Sequence, residues 1–265
     1  MTTSTNAQMQ TGHTHDLTPS QSLDPPTGSR MWTSRLIGAL FLAGFLLYGT
    51  GSVLVNSVLD GPDFLRNVST MQTTLALGAF LMIATTAVDI GKAVIFYPVL
   101  ERHGKRTAVA YLATMIFEMA MMTVGVLALL MVIPLAEQAM DGELDASTAQ
   151  ALASLAADAN ETAYQIGQLS LAFGALFLAA LLFRSGLVPK WLAVLGLIGY
   201  TTHMVGAAAE IFGAPISLVL LVPGAIFELA LAVWLLTKGF TPAAYNALPA
   251  LPRALATSAT AHPRP

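Results

Sequence analysis

Five side chains stand where long apolar runs ought to carry none: Asp89, Lys92, Glu118, His203 and Glu228. Asp89 and Lys92 are three residues apart, which on a helix gives them one face and permits an ion pair. Lys92 could equally extend along its helix toward the aqueous boundary. Glu118 and Glu228 have no basic neighbour within their own runs, and His203 is the one imidazole inside such a run. Carboxyls, an ammonium and an imidazole bind and pass protons or hold small ions, and inside a membrane they mark a functional site by default. The competing reading is a buried polar network that only fixes helix register. Tyr111 and Thr114 share the face of Glu118. Gly199, Tyr200, His203, Gly206 and Glu210 recur at helical spacing as one small-and-polar stripe, whose ordinary meaning is close packing. Pro223-Gly224 precedes Glu228 by about one turn and would free a backbone carbonyl there, although most membrane prolines only kink their helix.

The elements that must position these groups follow from composition. Of 265 residues, 55% are hydrophobic and 10% charged, with a mean hydropathy of +0.67. Soluble domains carry about 25% charged residues, so this chain reads as an integral membrane protein rather than a soluble enzyme or a nucleic-acid binder. It contains no cysteine, which removes disulfides, iron–sulfur clusters and thiolate metal sites, and its net charge of −3 points to no partner. Six apolar runs, at 36–59, 71–98, 107–134, 162–183, 191–213 and 215–237, each exceed or match the ~20 residues a membrane-crossing helix needs. Helix is the open-chain form that satisfies its own backbone in lipid. The expected fold is all-α, a six-helix transmembrane bundle over 31–239. Residues 1–30 and 240–265, rich in polar residues, alanine and proline, are expected to be disordered cytoplasmic tails. Ser69 with Gln72, and Ser147 with Gln150, read as capping boxes, the second opening a short helix in the long third loop.

Charge sets the orientation. Arg30, Arg35, Arg102, Lys105, Arg106, Arg184, Lys190 and Lys238 flank the runs on the side holding both termini. The other side carries Arg66 against Asp60, Asp63, Glu137, Asp141, Glu143, Asp145, Asp158 and Glu161. The positive-inside rule puts both termini in the cytoplasm, and an even number of spans requires them to share a side.

At ~1.5 Å per residue from the cytoplasmic ends, Asp89 and Glu228 lie about 14 Å deep, Glu118 about 17 Å, His203 about 18 Å and Lys92 about 9 Å. Each charge exposed to lipid at a helix centre costs ~2.5–3.5 kcal/mol, so four would cost on the order of 10 kcal/mol, comparable to the stability of a whole domain. They must face inward. Three carboxylates against one ammonium are unbalanced, which calls for a proton on Glu118 or Glu228, or a cationic His203. Glu210 falls near the outer surface. No His-Glu-x-x-His or second buried histidine supports a metal or haem site, and no cofactor is expected.

Two segments carry a family resemblance. They are Phe183-Arg184-Ser185-Gly186-Leu187-Val188-Pro189, with Leu192 and Gly196 following, and Pro223-Gly224 leading through Glu228 to Trp234-Leu235-Leu236 and Lys238-Gly239. From about 36 to 239 the chain resembles the bacterial membrane family called domain of unknown function 4386. That resemblance implies a multi-span protein of the cytoplasmic (inner) membrane and no established activity, so no catalytic residue is carried over. The leading functional reading is a non-catalytic scaffold or modulator of a membrane partner, with a structural polar cluster. The alternatives are a proton- or ion-coupled translocator or sensor using Glu118 and Glu228, and an intramembrane enzyme acting on lipid. The expected partners are the lipid bilayer and either a second copy or another membrane protein, not nucleic acid.

Overall fold

A backbone removed from water must satisfy its own hydrogen bonds, and this chain does so with helices. The computed structural model describes residues 27–61 and 64–247. These form α1 (Thr27–Leu59), α2 (Phe64–Thr70), α3 (Gln72–Leu130), α4 (Val132–Met140), α5 (Ala146–Ser185), α6 (Lys190–Ile211), α7 (Ser217–Thr237) and α8 (Pro242–Tyr245). Five helical stretches are long and apolar enough to cross a membrane.

The longest of them is folded in two. A straight helix of the 59 residues of α3 would reach roughly 90 Å. At Gly104 the backbone leaves helical geometry (φ 180°, ψ 86°). On either side of it the rings of Phe96 and Tyr111 meet at 6.3 Å. At the far ends, Gln72 donates from Nε2 to Glu137 Oε1 across 2.9 Å. The element is therefore a hairpin, with a first arm over 72–103 and a second over 105–130.

Three local expectations change. Ser69 lies inside α2 and its hydroxyl donates to the Arg66 carbonyl, while α3 starts after Met71 with no side-chain cap. Asp145, not Ser147, caps α5, accepting from the N–H groups of Ser147 (3.1 Å) and Thr148 (3.2 Å). A carboxylate there satisfies orphan donors and also meets the positive end of the helix dipole. The expected loop helix and the fourth apolar run then merge into one 40-residue helix. It stops at Gly186, whose left-handed φ of 67° suits a residue without Cβ.

The ordered region also exceeds the expected boundaries. Helix α1 begins at Thr27, and Phe240 and Tyr245 are buried, their rings 6.0 Å apart. Arg30 donates to the Phe240 carbonyl, and Thr241 N–H to that of Leu187, at 2.9 Å for the second bond. Two aromatic rings docked on Phe96 and the Arg102 side chain hold a segment whose local composition is unremarkable for a tail. The rest of both expected tails, 1–26 and 248–265, lies outside the described residues.

Contacts run from α1 to α3, α3 to α5, α5 to α6, α6 to α7 and α7 back to α1, closing a ring. Its outer surface is apolar, with Leu218 77% and Leu46 70% exposed, the inverse of a water-soluble surface. Inside, the buried apolar residues form two separate cores. One lies at the end that holds Arg35, Arg102 and the Gly104 turn. It draws Phe41, Phe96, Leu182, Leu192, Phe227 and Leu235 from every long helix. The other lies at the end that holds Glu137 and Asp145. Its buried members, among them Val58, Val68, Leu75, Leu129, Val132 and Ala153, come from α1 to α5 alone.

Candidate functional site

Between the two cores the ring encloses a cavity of about 360 Å³. Asp89 and Lys92 reach it from the first arm of α3, Glu118 from the second, His203 from α6 and Glu228 from α7. All five residues singled out from the sequence thus share one chamber.

Close helix approach makes this possible. A Cβ built on Gly44 of α1 would stand 2.9 Å from Asp89 Oδ1, so the glycine lets that carboxylate lie close against α1 and a larger residue would make it shift. Lys92 Nζ sits 2.6 Å from Asp89 Oδ1 and 4.2 Å from the centroid of Phe41. The ammonium is buried, so Lys92 does not extend to the aqueous boundary; the paired carboxylate and the ring face replace its hydration. On the opposite wall, Gly199 of α6 lies against Gly224 of α7, where a Cβ would come within 2.8 Å of the Gly224 backbone. That contact brings His203 and Glu228 onto one face of the chamber. The Tyr200 hydroxyl donates to a Glu228 carboxylate oxygen. Glu118 is 3% exposed, and its Oε2 has no hydrogen-bond partner.

The supporting residues divide. Tyr200 and Gly224 line the cavity. Tyr111 packs edge-on to Phe96 in the adjoining core instead. Pro223 lies within α7, which continues through it, so α7 is not a broken helix. Glu210 lies in the last turn of α6, where its Oε2 accepts from Ser217 N–H at 3.1 Å and caps α7. Its place one stripe along from His203 reflects helical spacing, while its chemistry is that of a cap.

Several lining residues escaped the sequence reading, which sought formal charge. Tyr48 of α1 and Tyr164 of α5 stack at 5.7 Å with their planes 12° apart, and both face the chamber with Ser52, Thr85 and Gln168. A search for tyrosine and glutamine inside the apolar runs would have found them.

The cavity reaches the surface on one side. Gly49 and Leu218 line it and are exposed. At the Arg35 end α1 lies against α7, where a Cβ on Gly38 would meet the Ala232 carbonyl at 2.8 Å. Further along, α1 has turned to α3, with Gly51 against the Gly78 carbonyl at 2.7 Å by the same measure. The start of α7 leans on α6 through Gly206. Helices α1 and α7 therefore fork toward the acidic end, and the chamber lies in the fork.

Chemically, one ammonium is matched by Asp89, and the carboxyls of Glu118 and Glu228 have no basic partner. Among the described residues no group of three or more histidine, aspartate or glutamate side chains is placed to hold a metal ion. No curated protein and no solved structure matches the chain. Residues 36–239 match the family described as Domain of unknown function (DUF4386), a span of most of the sequence, and this membrane protein belongs to that family.

Proposed function

We propose that the chain crosses the cytoplasmic membrane six times, with both termini in the cytoplasm, and acts as a proton- or ion-coupled translocator or sensor of a small solute held in its central cavity. The hairpin of α3 supports the count, since each arm exceeds the ~20 residues a crossing needs. The placement of Arg35, Arg102 and Lys238 at the end opposite Glu137 and Asp145 supports the orientation. The observation that carries the functional reading is the cavity itself. A network whose only task is to fix register would be filled and fully paired, whereas this one borders about 360 Å³ of space with Glu118 Oε2 unpartnered.

The scaffold reading retains one point in its favour. The Asp89–Lys92 pair and the Tyr200–Glu228 bond are the kind of contacts that pin helices in register. Under that reading Glu228→Gln preserves function and Glu228→Leu impairs folding.

The chain lacks cysteine, so single cysteines separate the two. Ser52→Cys and Met122→Cys, both facing the chamber, should react with a membrane-impermeant thiol reagent added outside intact cells. Ala93→Cys, fully buried in the core at the Arg35 end, should stay unreactive. Equal protection of all three would defeat the proposal and leave the scaffold.

A further inference from the structure

The chamber has a chemical bias that a generic solute site would not need. Among its titratable lining groups Lys92 is held by Asp89 at 2.6 Å and stacked on Phe41, and neither Lys92 nor His203, which also lines the space, forms an ion pair with Glu118 or Glu228 among the described residues. Glu118 lines the cavity, is nearly fully buried, and its Oε2 has no hydrogen-bond partner, an arrangement that costs free energy until a donor or cation arrives.

Aromatic faces accompany these carboxyls. Phe41, Phe45, Tyr48, Tyr164 and Tyr200 all line the chamber. Lys92, 4.2 Å from the Phe41 centroid, shows that an alkylammonium fits against such a ring here. The entrance between α1 and α7 is apolar, bordered by Gly49, Leu218 and Leu221. This gap is in the side of the ring, on the half of the molecule that carries Asp60, Glu137, Asp141, Glu143 and Glu161, whose field draws cations and repels anions. The volume suits a small organic molecule with a body, beyond what a bare ion needs.

From this combination we infer that the cavity binds an organic ammonium ion carrying an aromatic or aliphatic body. Its cationic head lies between Glu118 and Glu228, and its body lies against Tyr48 and Tyr164. The inference rests on the accessible-cavity reading above and names its ligand class.

The experiment uses the full-length protein in detergent with Ser52→Cys, its modification by the neutral reagent N-ethylmaleimide being followed with time. Two probes compete: phenyltrimethylammonium and tert-butylbenzene, which match in shape and differ by a positively charged nitrogen in place of carbon. Phenyltrimethylammonium should slow modification in a saturable way, and tert-butylbenzene should not. Adding Glu118→Gln or Glu228→Gln should raise the half-protecting concentration about tenfold each, as expected for losing one charge-assisted contact. Unchanged melting of these variants would show that the loss is not unfolding, and either one alone suffices if the other fails to fold. Equal protection by the two probes, or no change with either glutamine, overturns the organic-cation assignment. If Ser52→Cys reacts but neither probe protects it, this inference alone falls. If Ser52→Cys never reacts, the accessible cavity falls and takes the inference with it.

Discussion

The two apolar cores differ in who contributes, and that difference makes the cavity one-sided. At the end bearing Arg35 and Arg102, α1, both arms of α3, α5, α6 and α7 all send large side chains to the axis, and Phe240 and Tyr245 close over them. At the acidic end the buried members come from α1 to α5, with α2 and α4 taking the places that α6 and α7 hold elsewhere. The first core is a floor under Lys92 and Glu228. The second is a buttress beside the entrance. A ring of similar helices can thus be shut at one end and forked at the other because α1 changes partner along its length, from α7 at Gly38 to α3 at Gly51.

If the floor seals the chamber, opening it should have the largest effect. Phe227→Ala removes a fully buried ring at that floor and is expected to cost about 3–5 kcal/mol. Measured by thermal unfolding in detergent, it should also expose Ala93→Cys to thiol reagent, which Leu129→Ala in the acidic-end core should not. Equal labelling in both would erase the contrast between the cores. Asp89→Asn leaves the Lys92 ammonium buried and unpaired, for about 3–5 kcal/mol, and Asp89→Asn with Lys92→Met should recover most of the loss. A double variant no better than the single would mean that the pair does more than neutralise itself.

Smaller effects sharpen the geometry. Gly44→Ala places a methyl 2.9 Å from Asp89 Oδ1 and should cost about 1–3 kcal/mol through crowding, read by the same melting assay. Tyr200→Phe removes the donor to Glu228 and should cost about 1 kcal/mol, a loss that Tyr111→Phe, outside the chamber, need not share. The smallest effect concerns Asp145 at the start of α5. The Ser147 hydroxyl, with the Thr148 N–H, holds its carboxyl below the usual aspartate range. Its contribution is therefore present above the ordinary carboxylate pKa and lost as pH falls through the depressed value. The protection of the Ser147 and Thr148 amides, relative to their intrinsic exchange rates, should fall over that acid window, and Asp145→Ala should show low protection at every pH.

The chemistry-bearing residues were legible as exceptions to a rule. Asp89, Lys92, Glu118, His203 and Glu228 stood out because burying charge in lipid is costly, and the same cost drives them inward to one place. Tyr48, Tyr164 and Gln168 were not legible in this way, since uncharged polar side chains are common enough in apolar helices to pass unnoticed. The capping role of Glu210 was not legible either, because a small-and-polar stripe shows which face a residue occupies, without showing that Ser217 N–H waits at its end. Nor did local composition reveal that Phe240 and Tyr245 dock, because their partners Phe96 and Arg102 are far away in sequence.

Run length, apolarity and the distribution of charge act locally along the chain, so the amino-acid order alone determined an all-helical membrane protein with inward-facing polar groups. Which helices meet, and where they part, depends on shape at contacts such as Gly38 with Ala232, Gly51 with Gly78 and Gly199 with Gly224. Those contacts join residues from 25 to 194 positions apart, and only their simultaneous packing decided that the charges border an open chamber and not a filled core.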